Sequence, residues 1–119
     1  MFEYHCWAVV EGLRDADAER ALANALEARI AALDDGARGS FHVTNLNTLL
    51  VTASGVRNHA QGEVLDVFHW LARQCPGCYG LMYVRPEFPD PDGSWPFQVR
   101  QIRRGTVEYL EDRYAVDQP

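Results

Sequence analysis

The stretch Phe2-Glu3-Tyr4-His5-Cys6-Trp7-Ala8-Val9-Val10-Glu11 opens the chain with a two-residue alternation. Phe2, Tyr4, Cys6, Ala8 and Val10 fall on one side of an extended backbone, and Glu3, His5, Trp7 and Glu11 on the other. This pattern predicts a strand with one face turned to a core. The following segments must supply the layer that covers that face.

Downstream, Asp15 or Asp17 offers a helix N-cap, and the acids Asp17 and Glu19 suit the positive end of a helix dipole. Leu22, Leu26, Ile30 and Leu33 then recur at helical spacing, and Asp34-Asp35-Gly36 is expected to end the helix. Phe41 to Leu46 and Thr48 to Ala53 read as a hairpin around Asn45-Leu46-Asn47, followed by a loop from Gly55 to Asn58. A second helix is predicted over 60–74, with Val64, Leu65, Phe68, Leu71 and Ala72 as its apolar stripe. Cys75-Pro76-Gly77-Cys78 stops it.

Tyr79 to Arg85 is a fourth strand. Residues 86–94, with three prolines, three acids and no base, form the one long irregular segment. Trp95 to Arg103 and Thr106 to Leu110 pair as a last hairpin around Arg104-Gly105, and the tail from Glu111 has no strong pattern. The order βαββαβββ, rich in adjacent hairpins, predicts an α+β fold: an antiparallel sheet of five to six strands with two helices on one face. Its first six elements match the ferredoxin-like order.

Length and composition agree with one domain spanning 1–119. The chain has 119 residues, 47% hydrophobic and 24% charged, with no linker, repeat or low-complexity tract. Eleven arginines, and no lysine, stand against 17 acids, a net charge of −6. Such a balance argues against nucleic acid as a partner, because that affinity comes from cations neutralising phosphates. It argues equally against an anionic membrane surface. With no basic and apolar leader and no run of about 20 apolar residues, a cytoplasmic location is expected. Three cysteines, an odd count, do not suggest a disulfide framework.

The loudest short motif is the pair Cys75 and Cys78. Redox pairs of this spacing precede a helix, whose N-terminal dipole stabilises a thiolate; this pair follows one. A zinc site would need two further ligands, and neither a second such pair nor a histidine pair at helical spacing exists. A capping turn is the plainer reading. His5, His42, His59 and His69 are scattered over four elements, and Ser40, Ser54 and Ser94 lack nucleophile-elbow glycines. No catalytic set, metal site or cofactor is therefore expected.

The aromatic residues say more. Trp70 lies about 160° around its helix from Phe68, so if Phe68 faces the sheet Trp70 should face away from it. Trp7 should project from the helix-free face of the first strand. Trp95 adjoins the acidic segment carrying Glu87, Asp90 and Asp92. An aromatic-plus-acid surface of this kind suits an arginine- or lysine-rich protein through cation–π contacts and ion pairs. The plain alternatives are partly covered tryptophans and a solvated loop.

Met1-Phe2-Glu3-Tyr4-His5-Cys6-Trp7 resembles the opening of the immunity protein 7 family of bacterial polymorphic toxin systems. The resemblance continues in order: Asn58-His59 before the second helix, Pro76-Gly77-Cys78-Tyr79-Gly80-Leu81-Met82-Tyr83 as a strand, Phe97-Gln98-Val99-Arg100 through Arg104-Gly105, then Glu111-Asp112. Its motif positions are thus Tyr4, His5, Trp7, Asn58, His59, Tyr79 and Gly80. Cys6 and Cys78 stand where that family has glycine and serine, and residues 86–94 carry prolines where relatives are more uniformly acidic.

The resemblance implies a non-catalytic antidote, kept in the producing cell's cytoplasm, that binds a cognate toxin domain. Many such toxins are nucleases with basic surfaces. On exposure patterns alone, Glu87, Asp90, Asp92 and Trp95, then Trp7 and Trp70, are the expected contact residues. Two alternatives stand beside this reading. One is a small-ligand-binding or regulatory α+β module; the other is a thiol or zinc enzyme using Cys75 and Cys78.

Overall fold

A computed structural model describes residues 1–110; the expectations for the tail, including Glu111-Asp112, lie outside the described residues. The opening stretch is β1 (Phe2–Val10), a strand with strict alternation of burial: Phe2, Tyr4, Cys6, Ala8 and Val10 are all buried. It forms the middle of a six-stranded antiparallel sheet of order β2-β3-β1-β4-β5-β6, made with β2 (Phe41–Asn45), β3 (Leu49–Arg57), β4 (Tyr79–Arg85), β5 (Gln98–Arg103) and β6 (Thr106–Leu110). β3 lies between β2 and β1, and β1 between β3 and β4. This is the ferredoxin-like interleaving expected of the first six elements, extended by the β5–β6 hairpin.

The covering layer is α1 (Ala16–Ala31) and α3 (Gly62–Gln74), whose buried residues join those of β1 in one core. Asp15 rather than Asp17 caps α1, its carboxylate accepting from Ala18 N at 2.8 Å. The described residues form three helices rather than two, because Asp34-Asp35-Gly36 does not simply stop α1. Asp34 caps a further short helix, α2 (Asp35–Gly39), accepting from Ala37 N at 2.9 Å. An aspartate after a helix serves equally well as the cap of the next one.

Two boundaries move for clear reasons. β3 runs through Gly55–Arg57, where a loop was expected, because Phe2, Glu3 and Tyr4 of β1 pair with Arg57, Val56 and Gly55. Gly55 admits the buried Tyr4 ring: a Cβ there would sit 2.6 Å from the phenol oxygen. β5 begins at Gln98 instead of Trp95, since Pro96 has no N–H to give the ladder. The β5–β6 turn uses Arg104 and Gly105, both at positive φ (53° and 79°), as a type I′ hairpin requires.

Trp70 does not face solvent. It is 8% exposed, and α1 places the Arg29 guanidinium 4.5 Å from its ring centroid. α3 packs against α1 as well as the sheet, burying Val64, Leu65, Val67, Phe68, Trp70, Leu71 and Ala72. The side pointing away from Phe68 is therefore covered too, and the expected exposed tryptophan becomes a core residue.

Candidate functional site

The odd-numbered residues of β1 project from the face without helices. On that face Trp7 lies between Thr52 of β3 and Leu81 of β4, His5 between Ser54 and Tyr83, and Glu3 between Val56 and Arg85. Polar residues would ordinarily fill such a face. Here Trp7 and Tyr79 meet edge to face with centroids 6.1 Å apart, and Val99 opposite Tyr83 is 5% exposed without joining the helix-covered core. Trp7 is half-buried and Tyr79 exposed, so the aromatic surface is formed and accessible.

Toward the end where β4 leaves the sheet, a second group assembles around Arg85. Its Nη2 donates to Glu3 Oε1 at 2.8 Å, and the guanidinium lies 5.1 Å from the Trp95 ring and 5.2 Å from the Phe97 ring. His5 joins it, 2.6 Å from Glu3 Oε2 and with its ring 6.1 Å from that of Phe97. Tyr79, Trp7, His5, Phe97 and Trp95 thus share one side of the molecule.

The acidic segment 86–94 leaves from this edge and is closed on itself. The indole N–H of Trp95 donates to Pro86 O at 2.7 Å, and the N-terminal ammonium of Met1 to Glu87 O at 2.9 Å. Further out, Asp90 N donates to Ser94 O at 2.8 Å and Gly93 N to Asp90 O at 2.9 Å. Ser94 gives its hydroxyl and its N–H to Asp92 Oδ1, at 2.6 and 2.9 Å, and those bonds hold the Asp92 carboxyl below the usual carboxylate range. Asp90 and Asp92 are exposed and form no ion pair among the described residues.

Glu87 differs from its neighbours. Oε1 lies 3.0 Å from His59 Nδ1, and Oε2 accepts from Ala60 N at 3.2 Å. The His59 hydrogen bond, then the one from Ala60, depresses its pKa. It fastens the exit of β4 to the chain leading into α3, a structural use of one expected contact residue.

The structure therefore brings Trp7 and Trp95 onto one side, with Glu87, Asp90 and Asp92 beside Trp95, and puts Trp70 in the helical layer. Of the motif positions, Tyr4 is in the core, His5 and Tyr79 are on the open face, and Asn58 and His59 are exposed where the chain leads into α3. Gly80 is needed for strand approach: a Cβ there would collide with the carbonyl oxygen of Trp7. Sequence reasoning passed over Phe88, 72% exposed in the acidic segment, and also Arg85 and Phe97. An apolar ring between Glu87 and Pro89 was the available signal for Phe88.

The remaining candidates are structural in character. Cys75 and Cys78 are buried at 0% and 1% exposure, and Cys75 Sγ donates to Glu11 O at 3.1 Å. Burial pushes the Cys6 and Cys78 thiols up to about 12, the opposite of what a nucleophilic or metal-binding thiolate needs. His69 accepts from Arg100 Nη1 at 3.1 Å, and burial followed by that cation lowers its pKa. Among the described residues no group of three or more His, Cys, Asp or Glu could hold a metal ion. An open depression of about 250 Å³ between α1 and α3, lined by Arg29, Leu33, Glu63 and Asp66, is smaller than ordinary ligand pockets. No described helix is long and apolar enough to cross a membrane.

Comparison with known proteins gives one result. The family model described as Immunity protein 7 matches residues 1–116. No curated protein and no solved structure matches significantly.

Proposed function

Because this chain belongs to the immunity protein 7 family, we propose that it neutralises a cognate toxin domain in the cytoplasm of the producing cell, by binding and without catalysis. The observation that carries the reading is the family match over nearly the whole chain. An accessible aromatic face with unpaired carboxylates at its margin supports it, since a small acidic domain with such a surface is equipped to occupy another protein. Trp7, Trp95, Asp90 and Asp92 are the contact residues of this proposal; Glu87 positions their loop, and Trp70 is left out. A toxin with a cationic surface, such as a nuclease, is the favoured partner, because opposite charge accelerates encounter as well as holding the complex.

Rescue tests this directly. The toxin domain encoded beside this chain is expressed in a sensitive host, alone and together with the chain. Survival only on co-expression, with a one-to-one complex recovered on purification, is the expected result. Toxicity that the chain neither relieves nor binds would remove the reading.

A further inference from the structure

Phe88 is 72% exposed in a chain whose core takes up most of its large apolar side chains. A single exposed phenylalanine is unremarkable on a surface; its surroundings set this one apart. Glu87 and Pro89 flank it, and Asp90 and Asp92 follow with no cation in the whole of 86–94. Leu46 is more exposed, at 86%, yet its neighbours Asn45, Asn47 and Thr48 carry no charge. At Phe88 exposed apolar area coincides with a run of carboxylates that no basic residue interrupts.

The segment's base is held from three directions. Trp95 donates to Pro86 O, the Met1 ammonium to Glu87 O, and Ala60 N to the Glu87 carboxylate. Arg85 underlies it, against Trp95 and Phe97 and paired with Glu3. A side chain on a fixed backbone loses less freedom on binding, and an aromatic ring has few torsions to lose. The base is continuous with the aromatic face through Phe97 and His5.

We propose that Phe88 is the apolar anchor of the toxin-binding surface, seated in a recess of the partner whose rim presents arginine or lysine side chains to Asp90 and Asp92. The inference rests on the antidote reading and adds a division of labour. Buried aromatic anchors govern how slowly a complex falls apart, whereas exposed rim charges govern mainly how fast it forms. Asp92, exposed and held in place by the Ser94 hydrogen bonds, belongs to the second group and Phe88 to the first.

Binding kinetics with the toxin domain encoded beside this chain test the division. Phe88→Ala should melt at the wild-type temperature, because the ring is outside the core, and should dissociate about 30-fold faster or more with little change in association. Phe88→Leu should recover part of the slow dissociation. Asp90→Asn with Asp92→Asn should associate about tenfold more slowly at low salt, with a flatter salt dependence and nearly unchanged dissociation. A wild-type complex whose dissociation is indifferent to Phe88→Ala would overturn the anchor while leaving the antidote reading intact. If the wild-type chain does not bind the toxin domain at all, the antidote reading falls and the anchor falls with it.

Discussion

β4 begins at the Cys75–Cys78 turn and ends in the Pro86–Ser94 loop, and the two connections are built on opposite terms. The first is short and buried: Cys78 N donates to Cys75 O at 2.9 Å, Cys75 Sγ donates to Glu11 O, and Gly77 lies so close to Glu11 that no side chain fits. The second is long and outward. Its carboxylates either tie the loop together or face solvent, and its one large apolar side chain is left uncovered. Chemically distinctive residues have been consumed by packing at one end of the strand, while ordinary residues are presented at the other. Reactivity read from residue type alone points to the buried end.

The thiols give the largest expected contrast. With Cys6 and Cys78 raised from 9.0 to about 12, the thiolate fraction near neutral pH is lower by about a thousandfold. A thiol reagent at pH 8 should leave both nearly untouched in the native protein, and all three cysteines should react together after unfolding. Rapid labelling of Cys78 in the native state would put reactive chemistry back at that turn. The same shift has a stability consequence. A folded pKa above the unfolded one contributes fully below about pH 9 and is lost as pH climbs towards about 12. Denaturation midpoints should accordingly fall over that alkaline window.

Glycine substitutions sharpen the comparison next. At Gly77 a Cβ would collide with Glu11 O and lie 3.1 Å from Gly12 Cα, so Gly77→Ala should cost about 3 kcal/mol in chemical denaturation. Gly93 has open space around it and only a positive φ of 87° to defend, so Gly93→Ala should cost about 1 kcal/mol. Equal losses would mean that the acidic loop is as deeply embedded as the cysteine turn.

No larger than the Gly93 effect is that of Trp95→Phe, which keeps a ring over Arg85 but removes the hydrogen bond to Pro86 O. About 1 kcal/mol is expected, with faster amide exchange confined to 86–94. The smallest effect concerns Glu87. Its depressed pKa means that the link to His59 and Ala60 is complete above the ordinary carboxylate range and is lost only as pH falls below that range, through the lowered value. His59→Ala should raise the Glu87 pKa in an NMR titration; an unchanged value would remove His59 from the loop's support.

The fold was legible in β1 because alternation in a half-covered strand is a direct record of burial, and the helical repeats of Leu22, Leu26 and Ile30 are equally direct. Asp34 was not, since one aspartate reads alike as a stop or as a cap. Gly55 and Val56 look like loop until their partners, Tyr4 and Glu3, are known. Trp70 was misplaced because a helical wheel describes one neighbour, whereas α3 has two. At the candidate site, Trp7, Trp95, Asp90 and Asp92 could be chosen from sequence. Their gathering around Arg85 and Phe97 depends on strand order, which local patterns do not encode, and the structural role of Glu87 depends on a contact 28 residues away in sequence.

Hydrogen exchange on the chain, free and bound to the toxin domain encoded beside it, tests the central claim most directly. Docking on the helix-free side predicts new protection over 86–97, with α1 and α3 exchanging as in the free protein. Protection concentrated on α1 and α3, with 86–97 unchanged, would contradict it and place the partner on the opposite face.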